Sequence, residues 1–162
     1  MHLNLKPTYI CISIMDIDNH ILPFLGKTVK LLDLYIEEEL AKNDILLTKM
    51  QFVFLMIISK NNNQPQNNLA HLTGRDKTTF TRNISTLEKK GLVKRCLSEQ
   101  DKRIKLVSIT EAGTECLKKA YPIMHSIMYE VELGISEEER TSFMNTLTKI
   151  RTKLIALREQ QI

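Results

Sequence analysis

Apolar positions recur at helical steps along most of the chain, and each break in that rhythm coincides with residues that cap or turn a helix. From Ile21 to Leu40, the residues Ile21, Leu25, Val29, Leu32, Tyr35, Ile36 and Leu40 follow the three- and four-residue steps of one long amphipathic helix. Glu37, Glu38 and Glu39 near its end form a solvated face. Thr48 and Gln51 then stand in capping-box spacing, which predicts a helix start at Thr48. Residues 52 to 58 are apolar nearly all round, as in a buried central helix. The polar run "NNNQPQNN" breaks that helix, and Pro65 suits the first turn of a short one over "QNNLAHL", ended by Thr73 and Gly74. Asp76 is placed to cap a further helix with Phe80, Ile84 and Leu87 inward and Gly91 as its stop. Two short helices about a glycine-containing turn, preceded by a buried helix, make a helix-turn-helix pattern.

Past Gly91 the period changes. "LVKRCL" and "IKLVSI" are short β-prone runs on either side of the polar "SEQDKR", the pattern of a hairpin with a charged tip. Helical spacing returns at Thr110, whose hydroxyl can cap, with Glu111 well placed in the first turn. Cys116, Leu117, Ala120, Ile123, Met124, Ile127, Met128 and Val131 form the expected inward stripe, and Pro122 predicts a kink. Ser136 and Glu139 form another capping box. After it, Phe143, Leu147, Ile150, Leu154 and Leu157 trace a heptad seam, which wants a partner helix.

A chain of 162 residues fits one domain with a sizeable core, and five glycines, four prolines and no tryptophan favour a mainly α fold over a turn-dense β fold. The net charge is only +4, but it is unevenly spread. Between Arg75 and Lys105 ten Lys/Arg face four acids, a local +6 that leaves −2 for the rest of the chain. Positive charge concentrated in mid-chain is the footprint of a polyanionic partner such as nucleic acid. Cys11, Cys96 and Cys116 are too few and scattered for a disulfide framework, so a reducing cytoplasm is the simplest location. The run Tyr9 to Met15 is short even for a signal-peptide core, and no stretch approaches the ~20 apolar residues of a membrane span. "MDIDNHILPF" from Met15 also has the look of a natural start, with the preceding residues an upstream extension or an arm.

On the 76–90 helix, ~100° per residue from the inward stripe places Thr78, Arg82, Ser85 and Lys89 on the opposite face, with Thr79 and Thr86 at its edge. Short hydroxyls and an arginine can reach phosphates and base edges in a groove, arginine pairing bidentately with guanine. Arg75 and Lys77, at the helix start, would meet phosphates. Taken alone, this face is equally a solvated surface. The hairpin tip adds Lys102, Arg103 and Lys105 as a second basic element, and Arg103 is long enough to enter a narrow minor groove. Asp101 is expected to accept a hydrogen bond from Arg103 and pre-organise its guanidinium.

The segments "LTKMQFVFLMII", "LAHLTGRDKTTFTRNISTLEKKGLVKR", "EQDKRIKLVSIT" and "EAG" together resemble the MarR family of winged helix-turn-helix transcriptional regulators, in order and in spacing. The resemblance runs from about Phe24 to the C-terminus and is most specific from Thr48 to Gly113. It implies a single domain: an arm over 1–19, a dimerisation helix over 20–47, a DNA-binding lobe over 48–110 and C-terminal dimerisation helices over 111–160. Asp76 to Lys90 becomes the recognition helix, Val93 to Ile109 the wing, and Asp101 with Arg103 the family's wing-tip D-x-R. The implied partners are double-stranded DNA, as a pseudo-palindromic site, and a second copy of the chain. Ile21 and Leu25 of the first helix join the seam Phe143, Leu147, Ile150, Leu154 and Leu157 as the expected dimer interface. Family effectors are lipophilic or phenolic small molecules that alter the separation of the recognition helices. Phe24, Tyr35, Met56 and Met124 are the apolar candidates for that pocket, each more simply core. A ligand-responsive repressor is the implied role, with no cofactor.

Three other readings compete. A peroxide-sensing branch of the family carries a reactive cysteine early in the first helix; here that place falls near Phe24, so an inert thiol is favoured. His2, His20, His71 and His125 form no chelating pair, and no catalytic or nucleotide-binding fingerprint is present, which disfavours a metal sensor and an enzyme. A winged helix that docks on protein is the remaining alternative, distinguished by salt-insensitive binding.

Overall fold

The structure, a computed structural model, describes residues 20–74 and 76–160. The arm, Cys11, His2, Met15 and Arg75 lie outside the described residues. In chain order the elements are α1 (Ile21–Lys42), α2 (Lys49–Lys60), β1 (Gln64–Pro65), α3 (Gln66–Thr73), α4 (Lys77–Lys89), β2 (Val93–Leu97), β3 (Lys105–Ile109), α5 (Glu111–Glu132) and α6 (Glu137–Glu159). They fall into two compact units, one up to Met124 and one from His125 onward. The fold is mainly α with a small antiparallel sheet, as the pattern predicts.

In the first unit the expected caps form. Thr48 and Gln51 complete their capping box, Asp76 Oδ1 accepts from the Thr79 N–H at 2.8 Å, and Thr110 Oγ1 accepts from the Gly113 N–H at 3.0 Å. Gly74 ends α3 with φ 62° and Gly91 follows α4 with φ 70°, left-handed conformations that cost glycine little. At Gly91 the N–H groups of Gly91 and Leu92 turn back to the carbonyls of Glu88 and Leu87, a Schellman ending that aims the chain into β2. The core gathers on α2. Phe54, Leu55 and Ile58 are buried, as are Leu69, Phe80, Ile84, Leu87, Val93 and Val107 on the surrounding elements, and the Phe54 and Phe80 rings tilt at 49° with centroids 5.1 Å apart.

Several expectations need correction. The wing is a three-stranded sheet of order β1-β3-β2, not a bare hairpin, because Gln64 and Pro65 pair with Val107 and Leu106. Pro65 therefore ends a strand and stands as N-cap before α3 instead of inside its first turn. A two-residue strand has no periodicity to detect. The polar run before it is held by side chains, Asn62 Oδ1 accepting from the Ile109 N–H at 3.1 Å and the Ser108 hydroxyl lying 3.4 Å from Asn63 Oδ1. Along α1 only Ile36 and Leu40 are buried, while Ile21, Val29 and Tyr35 are exposed despite their place in the stripe. Along α5, Ala120, Met124 and Ile127 are buried but Met128 and Val131 are exposed.

The second unit holds the end of α5, a turn at Gly134 with φ 87°, and α6. The Ser136–Glu139 capping box opens α6. No residue of α6 is buried, and Phe143, Leu154 and Leu157 lie exposed along it.

Two glycine substitutions separate packing from propensity. A Cβ at Gly113 would lie 2.0 Å from the Leu92 carbonyl oxygen, whereas at Gly26, inside α1, it would meet nothing within 4 Å. Gly113→Ala is expected to destabilise the fold by about 1–3 kcal/mol. Gly26→Ala should stabilise it by up to about 1 kcal/mol, both measured by urea unfolding.

Candidate nucleic-acid interface

Because Phe80, Ile84 and Leu87 anchor α4 to the core, its opposite face is left to solvent. Lys77, Thr78, Arg82 and Lys89 are exposed there. Lys77, Thr78, Thr81 and Arg82 line one shallow hollow on this face. A second hollow, lined by Pro65, Gln66, Asn67, Asn68, Arg103, Ile104 and Lys105, lies between the start of α3 and the wing. The Gln66 amide Nε2 donates to Thr81 Oγ1 at 3.0 Å, so a side chain of the second hollow bonds to one of the first. The lining residues of the two hollows include four cations and no acid. Gln66, Asn67, Asn68 and Thr81 are the members that sequence spacing did not single out. For Gln66, Asn67 and Asn68 the only signal was the polar composition of the helix-breaking run, which does not distinguish a surface from a loop.

One predicted residue is placed differently from expectation. Ser85 is half-buried, and its hydroxyl accepts from Arg95 Nη2 at 3.2 Å, turning it toward β2. Thr79 is half-buried too, with its N–H engaged by the Asp76 cap. That hydrogen bond holds the Asp76 carboxyl below its ordinary range.

The wing tip is organised by short polar bonds. Ser98 Oγ accepts from the Gln100 and Asp101 N–H groups, and Asp101 Oδ1 accepts from the backbone N–H of Arg103 at 2.9 Å. The expected partner was the Arg103 guanidinium. The backbone N–H takes that place because an Asx-type turn closes over two residues, where the side-chain route must order a long arginine. Lys102, Arg103 and Lys105 are exposed.

The wing is fastened to α4 through Arg95 and Glu88. Arg95 donates from Nε to Glu88 Oε2 at 3.0 Å, from Nη2 to the same oxygen, and from its backbone N–H to Oε1 at 3.2 Å. Spacing could not reveal this pair, since it joins a helix to a strand across a turn. Arg95 holds the Glu88 carboxyl below its ordinary value of 4.5.

The residues assigned to the effector and dimer surfaces differ in exposure. Phe24 and Tyr35 are exposed on α1, Met56 is half-buried on α2 and Met124 is buried on α5. Ile21, Phe143, Leu154 and Leu157 are exposed, and Leu25, Leu147 and Ile150 half-buried. Burial pushes the Cys116 thiol up, away from the reactive thiolate form, while Cys96 is exposed on β2. Among the described residues no helix is long and apolar enough to cross a membrane.

Residues 47–105 match the model of the MarR family. An uncharacterised HTH-type transcriptional regulator of Bacillus subtilis, YybA, is 33% identical over 142 residues, spanning 84% of this chain and 89% of its own. The chain belongs to the MarR family. This MarR-family protein is thus a transcriptional regulator and not an enzyme. A solved structure from Listeria monocytogenes, assigned to the MarR family and complexed with 26mer DNA, aligns at TM-score 0.66 and 26% identity over 83% of this chain and 89% of that one. The transcriptional repressor CouR, bound to a 23-mer DNA duplex, shares the fold at TM-score 0.73 and 20% identity, covering 84% and 95% of the two chains.

The Glu88–Arg95 pair has a signed pH dependence. A carboxyl whose value is lowered on folding contributes stability that is present above its unfolded value near 4.5 and lost as pH falls through the lower folded value. The stability lost in Glu88→Gln should therefore be constant from pH 7 to about 5 and shrink below 4.5, followed by urea unfolding at stepped pH.

Proposed function

We propose that this regulator binds double-stranded DNA as a homodimer at a pseudo-palindromic site and acts as a repressor. The observation that carries the DNA reading is the pair of adjoining hollows, which spread Lys77, Arg82, Arg103 and Lys105 over α4 and the wing with no acid in their lining. Helix α4 offers Thr78 and Arg82 to base edges in the major groove, and Arg103 reaches the flanking minor groove. Lys77, Lys89, Lys102 and Lys105 neutralise phosphates, as would Arg75. Asp101 shapes the wing tip and Thr79 closes the helix start. Ser85 serves through Arg95. The relatives solved on 26mer and 23-mer DNA support the reading.

The homodimer is supported by apolar surface that one chain leaves open: Ile21 and Leu25 on α1, and Phe143, Leu147, Ile150, Leu154 and Leu157 on α6. The domain organisation follows, with α1 and the C-terminal helices for dimerisation and residues 48–110 for DNA. A lipophilic or phenolic effector near Phe24, Tyr35, Met56 and Met124 would release the DNA, and the cytoplasm is the place of action.

Arg82→Ala and Arg103→Ala should each weaken binding by about 1–3 kcal/mol in anisotropy titrations against DNA flanking the gene. Wild-type affinity should fall steeply with salt. Binding that is indifferent to salt and to both substitutions would point to a protein partner instead.

A further inference from the structure

Lys90 closes the last turn of α4, where its N–H bonds to the Thr86 carbonyl at 3.1 Å. Its ammonium leaves the helix and donates to the Leu46 carbonyl and, at 2.9 Å, to Gln51 Oε1. Both acceptors belong to the passage from α1 into α2. Leu46 lies in the connecting segment, and Gln51 is the buried capping-box residue whose Oε1 also lies 3.4 Å from the Thr48 N–H. The other described hydrogen bonds of α4 run elsewhere: Thr81 to α3, Asn83 to Met50 of α2, and Ser85 and Glu88 to β2. Among the described bonds, Lys90 alone ties the recognition helix to the point where α1 ends.

Two further facts set Lys90 apart from a phosphate-contacting lysine. It lines a hollow with Leu34, Glu37, Glu38 and Ala41 of α1, different from the hollows of Arg82 and Arg103. Two oxygen acceptors also hold the ammonium of this long, flexible and exposed side chain.

We propose that Lys90 is a positioning residue for DNA binding, a latch that fixes the inclination of α4 relative to the end of α1. The latch rests on the dimeric DNA reading above. If α1 belongs to the dimer interface, the angle held by Lys90 sets the separation of the two recognition helices, and with it the half-site spacing that the protein accepts. Lys90→Met keeps the length of the stem and removes the donor.

The test is anisotropy binding to a series of operators whose half-site spacing is changed by single base pairs, each at several salt concentrations. Wild type should prefer one spacing. Lys90→Met should bind the best operator about tenfold more weakly, with its spacing preference flattened and its salt slope unchanged. Gln51→Met should flatten the preference in the same direction, and the double variant should lose less than the sum of the two single ones, since the two groups share one bond while Lys90 keeps the Leu46 carbonyl and Gln51 the Thr48 N–H. A salt slope reduced by about one with the preference intact would make Lys90 a phosphate contact and overturn the latch. So would wild-type behaviour of Lys90→Met, or simple additivity with Gln51→Met. Wild type that binds no fragment, or ignores spacing, would overturn the dimeric DNA reading and take the latch with it.

Discussion

The packing of Phe80, Ile84 and Leu87 against α2 governs what the rest of this protein can do. Those three side chains are buried, and Phe80 meets the Phe54 ring at 5.1 Å. Burial of one face of a helix this short determines its rotation about its own axis to within a few tens of degrees, because turning it by one residue would replace a leucine in the core with a charged glutamate. The exposure of Lys77, Thr78 and Arg82 is therefore a consequence of the core. No separate interaction is needed to present them.

Rotation alone does not orient α4, and its remaining polar bonds supply what the core leaves free. Gln66 meets Thr81 from α3, Arg95 clasps Glu88 and Ser85 from the wing, and Lys90 reaches the passage between α1 and α2. Each comes from a different element, so each restrains a different motion. The Schellman ending at Gly91 turns the chain at once into β2, which keeps the wing close to the helix that it supports. The short third strand adds the start of α3 to the same sheet, bringing Asn67 and Asn68 beside Arg103 and Lys105.

The second unit shows the opposite balance. Helix α6 is well started by Ser136 and Glu139 yet buries none of its own apolar residues. Helix formation there is local and does not depend on burial within the chain. The same holds for most of the α1 stripe, of which only Ile36 and Leu40 are covered.

What the residues determined by themselves was local. Capping boxes at Thr48 and Ser136, the Asp76 cap, the glycine stops and the switch from helical to strand period were all legible, because each depends on groups within a few positions of one another. The basic face of α4 followed from periodicity once its inward stripe was recognised. Only the tertiary structure decided which apolar stripes are covered, that Gln64 and Pro65 pair with β3, that Ser85 turns to Arg95, and that Lys90 reaches Leu46 and Gln51. Those contacts join residues far apart in the chain. A one-dimensional pattern states which face of an element is apolar, but the surface that covers it is set by how the elements pack together.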